Sequence, residues 1–144
     1  MTGKQKNSSG MADPGIYPML YAFFDQSGRL RKDPFRVQVD ASLSTHAAGV
    51  AILGLGTEVS KLTFEERQEV LEVVAKRIDG RKPLLVTIYG DTITEQIEFS
   101  KLAIQNGASA LLLQPPSHKM DELTLIDFFS KIIDLWFCWN FFII

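Results

Sequence analysis

Val50-Ala51-Ile52-Leu53-Gly54-Leu55-Gly56-Thr57-Glu58, followed by Leu62-Thr63-Phe64-Glu65-Glu66, is the stretch that decides the fold. Four apolar residues without polar alternation suit a short strand buried on both faces, the habit of parallel sheets. Two glycines then turn the chain. Thr63 and Glu66 have the spacing of a capping box, in which the hydroxyl and the carboxylate each reach an orphan backbone N–H at a helix start. Leu71, Val74, Ala75 and Ile78 follow at i, i+3, i+4 and i+7, and Asp79-Gly80 closes the helix. Leu84-Leu85-Val86-Thr87-Ile88 then returns as a second apolar strand, which completes one βαβ unit.

The same alternation extends in both directions. Upstream, residues 16–22 form an apolar, aromatic run read as a strand, and Gln26-Ser27-Gly28 as a turn. Asp33 is placed to cap a helix with Pro34 at its first position; Phe35, Val39 and Leu43 recur at helical spacing, and Gly49 is the expected stop. Downstream, Thr92 can cap a helix carrying Ile93, Ile97 and Ile104, ended by Asn106-Gly107. Residues 110–113 read as a fourth strand stopped by Pro115-Pro116, with a further helix expected over 121–133. Strand starts at Ile16, Val50, Leu84 and Ala110 lie 26 to 34 residues apart, the size of one βα unit. The fold class is therefore α/β, with a parallel sheet covered by helices. Pattern alone leaves two architectures open: about the first four βα units of a (β/α)8 TIM barrel, or an open five-stranded doubly wound sheet.

A chain of 144 residues can bury a real core, yet it is well short of the roughly 250 residues of a full barrel. Its net charge of −2, without a basic stripe, speaks against nucleic acid and against a membrane surface. The polar residues 1–13 are expected to be a disordered tail, residues 14–131 the folded part, and residues 132–144 a divergent hydrophobic tail. Residues 1–10 lack the apolar core of a secretory signal, and Cys138 has no second cysteine to pair with, so the expected location is the cytoplasm. The tail is too short to span a bilayer and reads either as a last buried strand or as the product of a truncated or shifted frame.

In parallel α/β proteins ligands bind at the C-terminal ends of the strands, which points to loops beginning at Phe23, Gly54, Tyr89 and Gln114. The loop 54–58 is the richest. Its glycines let backbone N–H groups face a small anion, and a carboxylate is a natural guest; a plain tight turn is the bland alternative. It is not a dinucleotide fingerprint, because the third glycine is missing. Gln114 can point into the mouth of the sheet, and Tyr89 stands beside it at the next strand end. Tyr17, Tyr21 and Tyr89 otherwise read as core residues with a hydrogen-bonded tip. His46 and His118 have no second ligand at metal spacing, so no metal or cofactor is expected. No G-x-S-x-G stands in the chain and Cys138 has no neighbouring base, so a Ser or Cys nucleophile is not expected either.

Taken together, these stretches resemble the dihydrodipicolinate synthase / N-acetylneuraminate lyase superfamily over about residues 15–129. Residues 16–22 with Asp25-Gln26-Ser27-Gly28 are similar to its opening strand and D-x-x-G turn. Gly54-Leu55-Gly56-Thr57-Glu58 with Leu62, Glu65 and Glu66 is similar to its G-T-T-G-E…L-x-x-E-E signature, and Thr94-Glu95-Gln96-Ile97 to the helix after its third strand. Gly107-Ala108-Ser109-Ala110 with Gln114-Pro115-Pro116 is similar to its G-A-D-A…T-P-Y stretch. The resemblance implies a TIM barrel, commonly tetrameric, that forms a Schiff base between a lysine and a 2-keto acid such as pyruvate.

The departures carry meaning. The two signature hydroxyls fall on Leu55 and Gly56, leaving Gly56 and Thr57 to hold a substrate carboxylate, and the tyrosine after T-P falls on Pro116. This argues against dihydrodipicolinate synthesis and for a relative acting on other keto acids, such as a sugar-acid aldolase or dehydratase. The implied Schiff-base lysine sits on the sixth strand and its tyrosine partner after the fifth; Lys61, Lys82, Lys101, Lys119 and Lys131 match neither place. The expectation is a truncated family member without lyase turnover. Its alternatives are a self-associating half-barrel that binds a small carboxylate, or one whose aromatic tail docks on a protein partner.

Overall fold

The computed structural model describes residues 14–134. The expectations for residues 1–13, for Cys138 and for the tail beyond Asp134 lie outside the described residues. The elements run α1 (Asp33–Leu43), β1 (Val50–Ile52), α2 (Phe64–Ile78), β2 (Leu84–Ile88), α3 (Ile93–Gln105), β3 (Ala110–Leu113) and α4 (Glu122–Asp134). Two 3-10 turns, Leu55–Thr57 and Val59–Lys61, link β1 to α2. The three strands pair in parallel in the order β1-β2-β3, with Val50 opposite Leu84 and Leu85 opposite Ala110.

The expected first strand, residues 16–22, is reduced to one parallel bridge between Met19 and Ala51. The Leu20 N–H donates to the Ala51 carbonyl at 2.9 Å and the Ala51 N–H to the Pro18 carbonyl at 3.0 Å. Two causes stop the ladder there. Pro18 has no N–H to donate. At the other end Leu53 adopts a left-handed φ of 62° and gives its N–H to the Thr57 hydroxyl. With that segment included, neighbours follow sequence order without a reversal. A doubly wound sheet needs a reversal at its switch point, so the described residues fit a partial barrel instead.

The capping box at α2 is present: the Thr63 N–H donates to Glu66 Oε2 at 2.9 Å and the Glu66 N–H to Thr63 Oγ1 at 3.2 Å. Asp79 ends the helix in the left-handed region (φ 49°), with Gly80 next at φ 67°. Thr92 caps α3 by accepting the Glu95 N–H. Asp33, by contrast, is not the cap of α1. Lys32 holds that position in helical conformation without a side-chain bond, while Asp33 lies inside the first turn and pairs with Arg36. Nor does Gly49 end α1, which stops at Leu43 as the Ser44 and Thr45 hydroxyls turn back onto the Ala41 and Ser42 carbonyls. Gly49 instead permits a close approach, since a Cβ there would stand 2.2 Å from the Tyr17 ring and 2.5 Å from the Pro83 carbonyl oxygen.

Alternation along the strands separates the two faces of the sheet. Val50, Ile52, Leu84, Val86, Ile88 and Leu111 join the helix-side core with Phe35, Val39, Leu71, Val74 and Phe99. Ala51, Leu85 and Ala110 form a second cluster on the opposite face, with Tyr17, Met19 and Leu112 against it. The Ile93, Ile97 and Ile104 stripe packs against Phe128 and Ile132 of α4, and Ile104 reaches the helix-side core as well. Among the described residues, no helix is long and apolar enough to cross a membrane.

Candidate functional site

Parallel pairing brings the loops after β1, β2 and β3 to one edge of the sheet, and that edge is the candidate site. Its floor is the turn after β1. The Thr57 hydroxyl donates to the Leu20 carbonyl at 2.5 Å and accepts the Leu53 N–H at 3.0 Å. One side chain thus stands in for the rung that would have joined Leu53 to Leu20. The Thr57 N–H donates to the Gly54 carbonyl and the Glu58 N–H to the Leu55 carbonyl. Both donors of Thr57 are therefore committed to the fold's own carbonyls, the hydroxyl to Leu20 and the N–H to Gly54. The Leu55 and Gly56 N–H groups open the 3-10 turn, where no earlier carbonyl lies at helical spacing, and take no hydrogen-bond partner among the described residues.

Met19 covers this floor. Its Sδ accepts the Gly54 N–H at 3.3 Å and lies 3.6 Å from Thr57 Oγ1. A Cβ on Gly54 would collide with the Met19 methyl at 2.3 Å, and one on Gly56 would sit 3.1 Å from Met19 Cγ. Leu55 projects outward, 86% exposed.

The loops after β2 and β3 are fixed by buried polar groups that sequence reasoning missed. Arg67, only 4% exposed, donates to the Tyr89 carbonyl and pairs with Glu95 Oε1 at 2.5 Å. Its guanidinium carbon lies 5.5 to 5.7 Å from the ring centres of Phe64, Tyr89 and Phe99. Gln96 is fully buried, and its Nε2 donates to the Gly90 and Gln114 carbonyls at 2.9 Å each, so one side chain ties the two strand exits together. Asp91 adds a second tie by accepting the Ser117 N–H at 2.7 Å. That bond, then the Ser117 hydroxyl, with His118 and Arg67 contributing charge, holds the Asp91 carboxyl below the ordinary aspartate range.

The structure thus places Gly56 and Thr57 in one turn and Tyr89 and Gln114 at the two neighbouring strand ends. The Tyr89 ring packs on Arg67 at the helix side, while the half-buried Gln114 side chain takes no hydrogen bond among the described residues. His46 and His118 are exposed, and the described residues hold no His, Cys or carboxylate cluster able to bind a metal. The missed residues did leave a signal. Arg67 begins the stripe that continues through Val70, Leu71, Val74 and Ile78, and Gln96 begins the one through Phe99, Ser100 and Ala103. A charged or amide residue on a buried stripe is one that has to find partners.

A parallel α/β sheet in sequential order, with helices on one face and an open turn at its C-terminal edge, is an arrangement of the TIM-barrel class. The chain belongs to the Dihydrodipicolinate synthetase family, which it matches over residues 13–136. YagE of Escherichia coli K12 is 31% identical over 121 residues, covering 83% of this chain and 40% of YagE. The crystal structure of YagE, described as a prophage protein of the dihydrodipicolinic acid synthase family in complex with pyruvate, superposes with a TM-score of 0.76. An N-acetylneuraminate lyase from Mycoplasma synoviae superposes at 0.77 with 25% identity, covering 83% of this chain and 42% of its own. The 4-hydroxy-tetrahydrodipicolinate synthase of Salinibacter ruber is 28% identical over 102 residues, 71% of this chain and 34% of that enzyme. The chain thus spans about two fifths of the length of the relatives it matches.

Proposed function

We propose that the turn after β1 holds the carboxylate of a small 2-keto acid of the pyruvate class. Gly56 supplies backbone N–H contact, Thr57 sets the turn, and Gln114, with the main chain at Tyr89, forms the rim. The observation that carries this reading is the Leu55-Gly56 turn itself, locked from beneath by the Thr57 hydroxyl, with two N–H groups that take no carbonyl among the described residues. The pyruvate bound to YagE supports the ligand class, and the name YagE carries, provisionally that of a 2-dehydro-3-deoxy-D-gluconate aldolase, supports a sugar-acid relative.

The family chemistry implied by the resemblance needs an amine at the barrel centre, and β1, β2 and β3 carry no lysine. We therefore propose that this chain binds a keto acid without turning it over. The free edge of β3 among the described strands further supports self-association, since an unpaired parallel edge templates pairing. A titration of the 15N-labelled chain with pyruvate tests the binding reading: saturable shifts at the Leu55 and Gly56 amides are expected, and their absence refutes it. Borohydride reduction in the presence of pyruvate is expected to leave the mass of the chain unchanged.

A further inference from the structure

In β2 the run Leu84-Leu85-Val86-Thr87-Ile88 contains one polar side chain, near its C-terminal end. Leu85 belongs to the cluster on the face away from the helices, and Thr87, two residues on, shares that face. Thr87 as a residue is 2% exposed, and its hydroxyl takes no hydrogen-bond partner among the described residues. It is not one of the fully enclosed unpaired polar atoms, which are Gln96 Oε1 and Ser100 Oγ, so the oxygen keeps a narrow opening at which its hydrogen bond is made to something other than the fold. The hydroxyl is aimed at the floor of the candidate site, for a Cβ built on Gly54 would stand 3.4 Å from Thr87 Oγ1. The same point stands 2.3 Å from the Met19 methyl, and the Met19 thioether sulfur is the acceptor for the Gly54 N–H. Thioether sulfur is a weak acceptor on a flexible stem. A carboxylate oxygen is a far stronger partner for the same donors.

We propose that Thr87 is a ligand-binding residue of this site. Its hydroxyl donates to the carboxylate of a small 2-keto acid seated against the Gly54-Leu55-Gly56 backbone as the Met19 side chain swings aside. Neither Leu55 nor Gly56 has a hydroxyl, so Thr87 is the side-chain donor that the turn itself does not supply. This inference rests on the carboxylate reading of that turn and adds the residue that sets its affinity.

Pyruvate titrations followed by 15N–1H NMR on the wild-type chain, Thr87→Val and Thr87→Ser separate the two ideas. The expected result is saturable shifts at the Gly54, Leu55 and Gly56 amides, with binding weakened about tenfold in Thr87→Val, the loss typical of one charge-assisted hydrogen bond. Thr87→Ser, which keeps the donor, is expected to stay within about twofold of wild type. Valine matches threonine in shape, and if Thr87→Val does not fold, Thr87→Ala removes the same donor and the same loss is expected. Wild-type binding with an unchanged affinity in the variant lacking the hydroxyl overturns the role of Thr87 and leaves the turn as the site. No shifts in the wild-type chain overturn the turn as a carboxylate site, and Thr87 with it.

Discussion

Thr57 Oγ1 donates to the Leu20 carbonyl oxygen at 2.5 Å and itself accepts the Leu53 N–H at 3.0 Å. A single hydroxyl therefore satisfies two buried backbone groups that the interrupted ladder leaves behind. Thr57→Val keeps the shape and strands both groups, so it is expected to destabilise the chain by about 3 kcal/mol. Thr57→Ser keeps the hydroxyl and is expected to cost about 1 kcal/mol for the lost methyl. Urea midpoints of the two variants check the difference; equal losses would show that the methyl, not the hydroxyl, matters.

Arg67 holds the chain exit of β2 from below, through the Tyr89 carbonyl and through Glu95, whose Oε2 lies 3.3 Å from the Asp91 N–H. Arg67→Met leaves the Glu95 carboxylate, about 30% exposed, without its cation. Breaking a fully buried pair typically costs about 3–5 kcal/mol, and partial solvation of Glu95 lowers the expectation to about 2–3. Arg67→Lys is expected to recover less than half, since an ammonium cannot serve two acceptors with one planar fork. Hydrogen exchange offers the local readout. The Gly90 and Asp91 amides are expected to exchange faster in both variants, and unchanged protection there would deny Arg67 its hold on this loop.

How far the sequence foretold this arrangement depends on whether local chemistry or long-range contact decides each piece. The box at Thr63 and Glu66, the cap at Thr92 and the stop at Asp79-Gly80 involve residues a few positions apart, and the structure has all three. The opening segment fails as a strand because of Pro18 within it and Thr57 some forty residues on, and only the first of these is visible locally. Asp33 and Gly49 were plausible terminators, yet tertiary packing set both ends of α1; Gly49 is glycine because Tyr17 and Pro83 converge on it. The loop 54–58 could be picked out by its glycines. The groups that support the neighbouring loops, Arg67, Gln96 and Thr87, lie on elements whose apolar periodicity drew attention away from their polar members.

Ser100 gives a test of that last point. Its Oγ and the Oε1 of Gln96, one turn earlier on α3, are buried without hydrogen-bond partners among the described residues. An unpaired buried hydroxyl is a cost, and alanine is the better helix former. Ser100→Ala is therefore expected to stabilise the chain by about 1 kcal/mol, seen as a rise of roughly 3–5 °C in Tm. A fall in Tm would mean that Ser100 and Gln96 share a bridging water.

The acid limb of stability follows from the aspartates. Asp91 is held below its ordinary value first by the Ser117 N–H; Asp25 and Asp121 are lowered first by the Ser27 and Thr124 hydroxyls, and Asp40 first by the Arg77 guanidinium. A carboxyl with a depressed folded pKa binds protons more readily in the unfolded chain, so stability rises with pH across that interval. Each contribution is complete above the unfolded value, about 3.9, and disappears as pH falls through the lowered folded value. The urea midpoint is thus expected to be level at neutral pH and to drop between about pH 4 and pH 2. Asp91→Asn should lower the midpoint at pH 7 and shrink that drop, since an amide accepts the Ser117 N–H less strongly and does not titrate. The same variant probes the tie between loops, because Asp91 and Ser117 leave from different strands. If Asp91→Asn matches wild type at both ends of the range, the bond to Ser117 favours neither protonation state, and Gln96 alone couples the exits of β2 and β3.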